Sequence, residues 1–224
     1  MPQASGIVGS LRYASLSVPG RLVAGDLLDV IAIDDRRTML MLGDVSGKGV
    51  GAAVLMASTQ SYLRASSEHV DDPAALLDKL NTHVLGRSGS GTFVTMLLAI
   101  VDSGADMVHV ADAGHAHWCL ALPGEPARIV EIERALPVGI AESLACPVAR
   151  LPFAAGSRLI VFSDGLVEQR DADGHEFGMD RVLAVLETSA SVEDDVARLL
   201  EALRAHAGGS SFADDLTIGS FERI

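Results

Sequence analysis

Short runs of branched and aromatic residues, separated by turns, recur along most of the chain. They predict strands at residues 27–33, 38–42, 92–101, 106–111, 117–121, 127–132, 147–153, 158–162 and 216–221. Apolar positions at helical spacing predict helices at residues 51–64, 73–85, 179–186 and 192–206. Because short turns join most of the strands, the pattern favours antiparallel hairpins, with the sheets sandwiched between helix layers.

Composition adds a size and a broad class to this picture. A chain of 224 residues with 49% hydrophobic content can build one sizeable domain, so we expect residues 1–224 to form a single domain. No apolar run reaches the roughly 18 residues of a membrane helix, and no leader precedes the first strand, which predicts a soluble, cytoplasmic protein without membrane contacts. Two cysteines predict reduced thiols, and a net charge of -13 argues against nucleic-acid partners.

Four aspartates stand at the ends of apolar strand-like runs, beside small or turn residues. They are Asp26, Asp44, Asp164 and Asp214. Where several strand ends meet at one edge of a sheet, such carboxylates can gather and hold hard metal ions. Each of them also has a simpler interpretation as a turn or a solvated acid.

The Gly-rich segment 43–49 allows three interpretations. A phosphate-binding P-loop is ruled out, because the spacing before Lys48 is one residue short and Gly49 stands where Ser or Thr is required. A dinucleotide fingerprint matches Gly47, Gly49 and Ala52, but the expected second strand with its terminal acid is missing. In the third interpretation Asp44 is the working residue, and the glycines let the backbone turn past a metal.

The other acidic segments have competing turn interpretations. Asp164-Gly165 between apolar runs is typical of a hairpin. Segment 171–174 is better explained as a turn than as a calcium loop, because one ligand position is absent. At 214–215 adjacent strand residues point to opposite faces, so only one of the two aspartates can readily face a shared site.

Taken together, the motifs resemble the metal-dependent protein phosphatase (PPM) family. The ordered set is Ala24-Gly25-Asp26 with Asp29, the segment 43–49, Thr92-Phe93-Val94-Thr95, Ala113-Gly114-His115, Leu136-Pro137 with Gly139, Ser163-Asp164-Gly165 with Glu168, Phe177-Gly178, and Asp214-Asp215 with Thr217. The set is most similar to the bacterial branch that includes the stage II sporulation phosphatase and the sigma-factor regulatory phosphatases of the general stress response. It runs from about Arg12 to Phe221.

The resemblance implies an α+β fold, a four-layer α/β/β/α sandwich with two central, mainly antiparallel sheets. It also implies hydrolysis of phosphoserine or phosphothreonine on a protein, with two Mn²⁺ or Mg²⁺ ions. Asp44 would bridge both ions and the Val45 carbonyl would bind one of them. Asp164 and Asp214 would bind the other, and Asp26 would hold water or coordinate directly. Hard ions suit such oxygen ligands.

Three further positions are assigned to the site on weaker grounds. Arg21 lies at a spacing similar to that of a phosphate-binding Arg in relatives outside this branch, and a solvated Arg is the alternative. His115 stands where many relatives keep an Asp for a third metal, and a structural hydrogen bond is the alternative. Asp215 matches a position that relatives often fill with Asn.

The expected substrate is a phosphorylated anti-anti-sigma (STAS) domain protein in a partner-switching system, with control by a regulatory protein partner. Two other classes of protein remain open. One is a catalytically inactive relative that binds phosphoproteins, although all the metal carboxylates are present. The other is a dinucleotide-binding oxidoreductase.

Overall fold

The computed structural model describes residues 4–20, 25–47, 49–68, 70–86 and 91–224. Over these residues the strands are β1 (Ala4–Val8), β2 (Leu11–Val18), β3 (Asp26–Ala32), β4 (Arg37–Val45), β5 (Val94–Asp102), β6 (Met107–Ala113), β7 (Trp118–Ala121), β8 (Val148–Pro152), β9 (Arg158–Phe162) and β10 (Leu216–Arg223). The helices are α1 (Val50–Ser66), α2 (Pro73–Leu85), α3 (Asp164–Val167), α4 (Gly178–Leu186) and α5 (Val192–Ala207). Among the described helices, none is long and apolar enough to cross a membrane.

The strands form two antiparallel sheets of five strands each. The first sheet has the order β1-β2-β10-β9-β7, and the second has the order β3-β4-β5-β6-β8. The second sheet follows the sequence order up to β6, as expected for hairpin connections, whereas the first joins β2 to β10 from opposite ends of the chain. This confirms the predicted α+β class with two central antiparallel sheets.

Alternation along β4 shows why the sheets must be covered on both faces. Met39 and Met41 pack in a cluster with α1 and α2, whereas Leu40 and Leu42 pack in the cluster between the two sheets. Successive strand residues point to opposite faces, so a continuous apolar run requires a partner on each side. The result is four layers, in which α1 and α2 cover the second sheet.

The helices on the other side cover the first sheet. Leu166 of α3, Val182 of α4 and Leu199 of α5 share a buried cluster with Ile160 and Ile218 of β9 and β10. Ser191 caps α5 by accepting a hydrogen bond from the Asp194 backbone N–H at 3.2 Å. Such capping satisfies a backbone donor that has no partner within the helix.

Four parts of the chain differ from the sequence prediction. Strands β1 and β2 were not predicted. Segment 127–132 is not a strand: it makes one isolated bridge, from Leu120 to Arg128, because the four-residue edge strand β7 offers little to pair with. The Asp164-Gly165 pair does not form a hairpin turn but begins α3. The turn at 171–174 is confirmed by a hydrogen bond from Gly174 N–H to the Asp171 carbonyl at 3.1 Å.

Candidate metal centre

Asp26 and Asp44 lie opposite each other on two neighbouring strands of the second sheet. Asp26 opens β3, Asp44 lies near the end of β4, and the two are direct partners in the antiparallel register. Opposed residues of an antiparallel pair share a face, with Cβ atoms roughly 4.5–5.5 Å apart. The hairpin therefore presents two carboxylates side by side at one end of the sandwich.

The first sheet brings Asp164 and Asp214 to the same end. Strands β9 and β10 are antiparallel partners, so the residue after β9 and the residues before β10 lie together. Ser163 fixes this junction: its backbone N–H donates to the Thr217 carbonyl at 2.9 Å, and its Oγ accepts from the Thr217 N–H at 2.9 Å. Asp164 then begins α3.

The electrostatics of Asp44 show that the two pairs converge. Burial raises the pKa of Asp44 most, and the charges of Asp164, Asp214 and Asp215 add to the rise in that order, which brings the pKa to about 7. A carboxyl group resists ionisation when like charges lie close by. Carboxylates contributed by both sheets therefore act on Asp44, and a cation would relieve their repulsion.

Asp26 is the most deeply buried of the four aspartates, with 8% of its surface exposed. Burial raises its pKa most, the hydrogen bonds of Thr217 and Ser163 oppose the rise, and the charge of Asp44 adds to it, which brings the pKa to about 7. Its Oδ2 atom is buried and has no hydrogen-bond partner in the described part of the chain. A buried carboxylate oxygen without a donor is costly unless a cation or an ordered water completes it.

Gly25 lies close to two oxygens of the candidate site. A Cβ atom at Gly25 would stand 3.1 Å from Asp44 Oδ1 and 3.6 Å from the Val45 carbonyl oxygen. Any side chain at position 25 would therefore occupy the space in front of these two oxygens. The residues fit hard divalent ions, because every donor is an oxygen and one of them is a backbone carbonyl.

The spacing of the carboxylates bears on how such ions could be held. Among the described residues, Asp171, Asp173 and His175 bring ligand atoms within 4.8 Å of one another, and the predicted ligands do not form such a group of three. Mg²⁺ commonly binds through one or two carboxylates and keeps several waters. The predicted ligands suit ions of that kind better than a single ion in a closed protein cage.

Asp215 has a different task from Asp214. Its Oδ1 accepts the backbone N–H of Gly20 at 2.8 Å, and its Oδ2 accepts the N–H of Gly25 at 2.6 Å. The two carboxylate oxygens thus hold Gly20, which follows β2, and Gly25, which directly precedes Asp26 at the start of β3. Asp215 positions the backbone of Gly25 beside Asp26 and Asp44 of the candidate metal centre.

His115 is buried and lies below this end of the sandwich. It is 4% exposed, and its Nε2 donates to the Phe162 carbonyl at 3.1 Å. Its backbone N–H donates to Asp112 Oδ1 at 2.7 Å. Burial lowers the pKa of His115 to about 3, so the ring is neutral in the fold. Arg21 lies outside the described residues.

Two residues that the sequence analysis did not single out contribute to this end. Asp112 is fully buried and accepts the N–H groups of His115 and Ala116, which shapes the loop between β6 and β7. His117 follows in that loop and is half-buried. Burial lowers its pKa, and the charge of Asp164 opposes part of this shift. No motif marks either residue, since their roles depend on the pairing of β7 with β9.

Comparison with known proteins places the chain in a family. The family model of stage II sporulation protein E (SpoIIE) matches residues 34–223. Protein IcfG of Synechocystis sp. is 24% identical over 89% of this chain and 36% of its own length. The phosphoserine phosphatase RsbU of Bacillus subtilis is 25% identical over 74% of this chain and 49% of its own length. The chain thus spans half or less of these curated relatives.

Solved structures share the fold. The RsbU and RsbW domains of Rv1364c from Mycobacterium tuberculosis superpose with a TM-score of 0.83 at 24% identity, over 97% of this chain and 62% of that one. RsbX in complex with magnesium gives 0.75 at 15% identity over 98% of each chain. The catalytic domain of the phosphatase PstP with two manganese ions gives 0.69 at 18% identity, over 95% of this chain and 97% of that one. The chain belongs to the SpoIIE branch of the metal-dependent protein phosphatase (PPM) family.

Proposed function

We propose that this chain is a metal-dependent protein serine/threonine phosphatase with a binuclear centre. The observation that carries the proposal is the convergence of carboxylates from both sheets on Asp44, beside Asp26 Oδ2, to which no described residue donates a hydrogen bond. Such a cluster is unfavourable without cations. The family model covers residues 34–223, and β2 pairs with β10, which supports treating residues 1–224 as one phosphatase domain.

The ions would be two Mn²⁺ or Mg²⁺, held by oxygens of five residues. Asp44 would contact both ions and the Val45 carbonyl one of them, Asp164 and Asp214 would hold the second, and Asp26 would coordinate directly or through water. When bound, the ions activate a water for attack and neutralise charge that develops on the phosphoryl group. The magnesium and manganese bound by RsbX and PstP support this choice of ions.

The chain's own residues would position the reactants. Asp26 Oδ2, which has no donor among the described residues, would accept a hydrogen bond from the attacking water and orient it. Asp215 would keep Gly25 in place, so that the space in front of Asp44 Oδ1 and the Val45 carbonyl stays free for an ion. The segment 44–46 contains no histidine, so water in the site would supply the proton to the leaving serine or threonine oxygen.

The substrate would be a phosphoserine or phosphothreonine on a regulatory protein, and we propose a STAS-domain component of a partner-switching system in the cytoplasm. Similarity to the phosphoserine phosphatase RsbU supports this class. A partner protein would control the activity, and sigma-factor regulation in a stress response would be its output. The antiparallel pairing of β4 with β3 and β5 gives no support to a dinucleotide-binding crossover.

Hydrolysis of p-nitrophenyl phosphate, with and without Mn²⁺, tests the proposal. We expect turnover that requires the metal, is abolished by a chelator and is lost in Asp44→Asn. A folded protein that retains phosphoprotein without any turnover would instead be an inactive binding relative. Phosphorylated STAS proteins from the same cell then test the substrate: one of them should be dephosphorylated far faster than p-nitrophenyl phosphate, and equally slow rates on all would reject this class.

A further inference from the structure

A cavity of about 430 Å³ opens beside Asp214, next to the proposed metal centre. It is lined by Gly165, Glu168, Gln169, Arg170, Ala213 and Asp214. Ligand pockets in proteins typically measure about 300–1,000 Å³, so this one can admit a side chain together with adjoining backbone. None of the chemistry proposed above uses it, apart from the shared Asp214.

Hydrogen bonds fix the walls of the cavity before any ligand arrives. Gln169 is 5% exposed; its Oε1 accepts the Ala213 N–H at 3.0 Å, and its Nε2 donates to the Arg170 carbonyl at 3.0 Å. The Phe177 N–H donates to the Gln169 carbonyl at 2.8 Å. The end of α3 is thereby tied to the segment before β10, and a preformed cleft loses little entropy on binding.

The charges around the cavity are mainly negative. Glu168 and Asp214 contribute two carboxylates. Partial burial raises the pKa of Glu168, and the charges of Asp164, Glu176 and Asp214 raise it further. Arg170 is the cation of the lining, but its guanidinium is ion-paired with Glu176 and donates to the Gly174 carbonyl at 2.8 Å. The charge of Arg170 also lowers the pKa of Glu168, but by less than each of the three neighbouring carboxylates raises it, so an incoming cation would find net negative charge around Glu168.

We propose that this cavity is a subsite for a Lys or Arg side chain of the protein substrate, within a few residues of its phosphoserine or phosphothreonine. The proposal rests on the phosphatase function proposed above. Since Asp214 borders both the cavity and the metal centre, the two places are adjacent, and each residue of an extended peptide spans roughly 3.3–3.6 Å. A cationic flanking residue would pair with Glu168 while its neighbour occupies the metal centre.

Matched phosphoserine peptides test this subsite. Each peptide carries either Lys or Glu at one of the three positions on either side of the phosphoserine, and kcat/KM is measured with Mn²⁺. At one position we expect Lys to be preferred by about two- to fivefold, the size of a partly exposed ion pair. Glu168→Gln should bring that ratio close to one, whereas Glu201→Gln, an exposed acid on α5, should leave it unchanged.

The outcomes distinguish a failure of the subsite proposal from a failure of the phosphatase proposal. Turnover of p-nitrophenyl phosphate together with no Lys preference at any position would reject the subsite and leave the phosphatase intact. If no phosphate ester is hydrolysed, the phosphatase proposal fails, and Kd values of the labelled peptides then test whether the cavity still prefers cationic flanks. A Glu168→Gln variant that needs more Mn²⁺ but keeps the peptide preference would assign the cavity to a metal ion and overturn the proposal.

Discussion

The backbone of Gly165 lies directly against the carbonyl group of Asp215. A Cβ atom at position 165 would fall 2.0 Å from the Asp215 carbonyl oxygen and 3.0 Å from its carbonyl carbon. Gly165 is not among the glycines with a positive φ, so close approach, and not backbone conformation, requires glycine here. The contact joins the start of α3 to the segment that bears Asp214.

Gly165→Ala should therefore move the start of α3 away from the segment that bears Asp214 and Asp215. The added methyl group must push α3 away from Asp215, and we expect the free energy of unfolding to fall by about 1–3 kcal/mol, as for other overpacked sites. Activity should fall more than tenfold, because Asp164 moves with α3. Chemical denaturation and kcat measure the two effects. Gly86→Ala, where a Cβ meets nothing nearer than 3.5 Å, should change neither.

Asp214→Asn and Asp215→Asn should fail in different ways. Asp214→Asn removes a proposed metal carboxylate, so kcat should fall by several orders of magnitude while the metal-free protein stays as stable or becomes more stable. Asp44→Asn and Asp164→Asn should behave alike.

Asp215→Asn leaves one acceptor where two backbone N–H groups now bind, those of Gly20 and Gly25. An unpaired buried donor costs about 1–3 kcal/mol, so the variant should lose stability and only part of its activity. Melting temperature and kcat measured on both variants give the comparison. A larger loss of kcat in Asp215→Asn than in Asp214→Asn would exchange the proposed roles.

Removal of metal should loosen the end of the sandwich that holds the aspartates. Cations that bind only the folded protein stabilise it by about 2.7 kcal/mol at a hundredfold excess over Kd. We expect Mn²⁺ to raise Tm, a chelator to reverse the rise, and Asp44→Asn to abolish it. Calorimetry at fixed protein concentration measures all three. Full turnover by a metal-stripped sample would contradict the binuclear centre.

His115 predicts how the metal-free protein responds to acid. Its pKa is about 3 in the fold against a usual value of 6.5, so the unfolded chain binds more protons between these values. The stability that neutral His115 contributes is present above pH 6.5 and is lost as pH falls towards 3. At pH 5 the loss should be about 2 kcal/mol.

Urea unfolding at pH 7.5 and pH 5 in the presence of a chelator checks this prediction. His115→Gln, whose amide can still donate to the Phe162 carbonyl, should lose less stability between the two pH values than the parent chain does. Because the aspartates titrate in both proteins, only the difference between them is interpreted. An identical slope in the parent chain and His115→Gln would contradict the assignment.

The sequence predicted most of the second sheet and the helices that cover it, because β3, β4 and β5 are consecutive apolar runs with local connections. It missed β1 and β2. Residues 11–18 are rich in Ser and small residues, and only Leu11, Ala14 and Leu16 are buried there. The strand pairs with β1 through a short turn and with β10, about 200 residues later, and local pattern carries no information about the distant partner.

The candidate site divides in the same way. The carboxylates could be found from their motifs, since each stands at a strand end. Three other features could not be predicted, because each depends on atoms from a distant segment. They are the hydrogen bonds that Asp215 accepts from Gly20 and Gly25, the close contact of Gly165 with Asp215, and the buried position of His115. The same holds for α3: Asp-Gly favours a hairpin locally, but Ser163 bonds to Thr217 and directs the chain into a helical turn instead.

The proposed ligand set is split between the sheets: Asp26 and Asp44 come from one, and Asp164 and Asp214 from the other. The apolar layer between the sheets, together with the hydrogen bonds from Gly25 to Asp215 and from His115 to Phe162, sets the distance across this divide. If one sheet slid or tilted against the other, the distances between the ligands of the two sheets would change, although the ligand residues themselves would stay the same. By reciprocity, ion binding would resist that motion, so sheet packing and metal affinity would be thermodynamically linked. A regulator would then need only to bias the sheet-to-sheet packing, from any surface of the protein, to tune the centre.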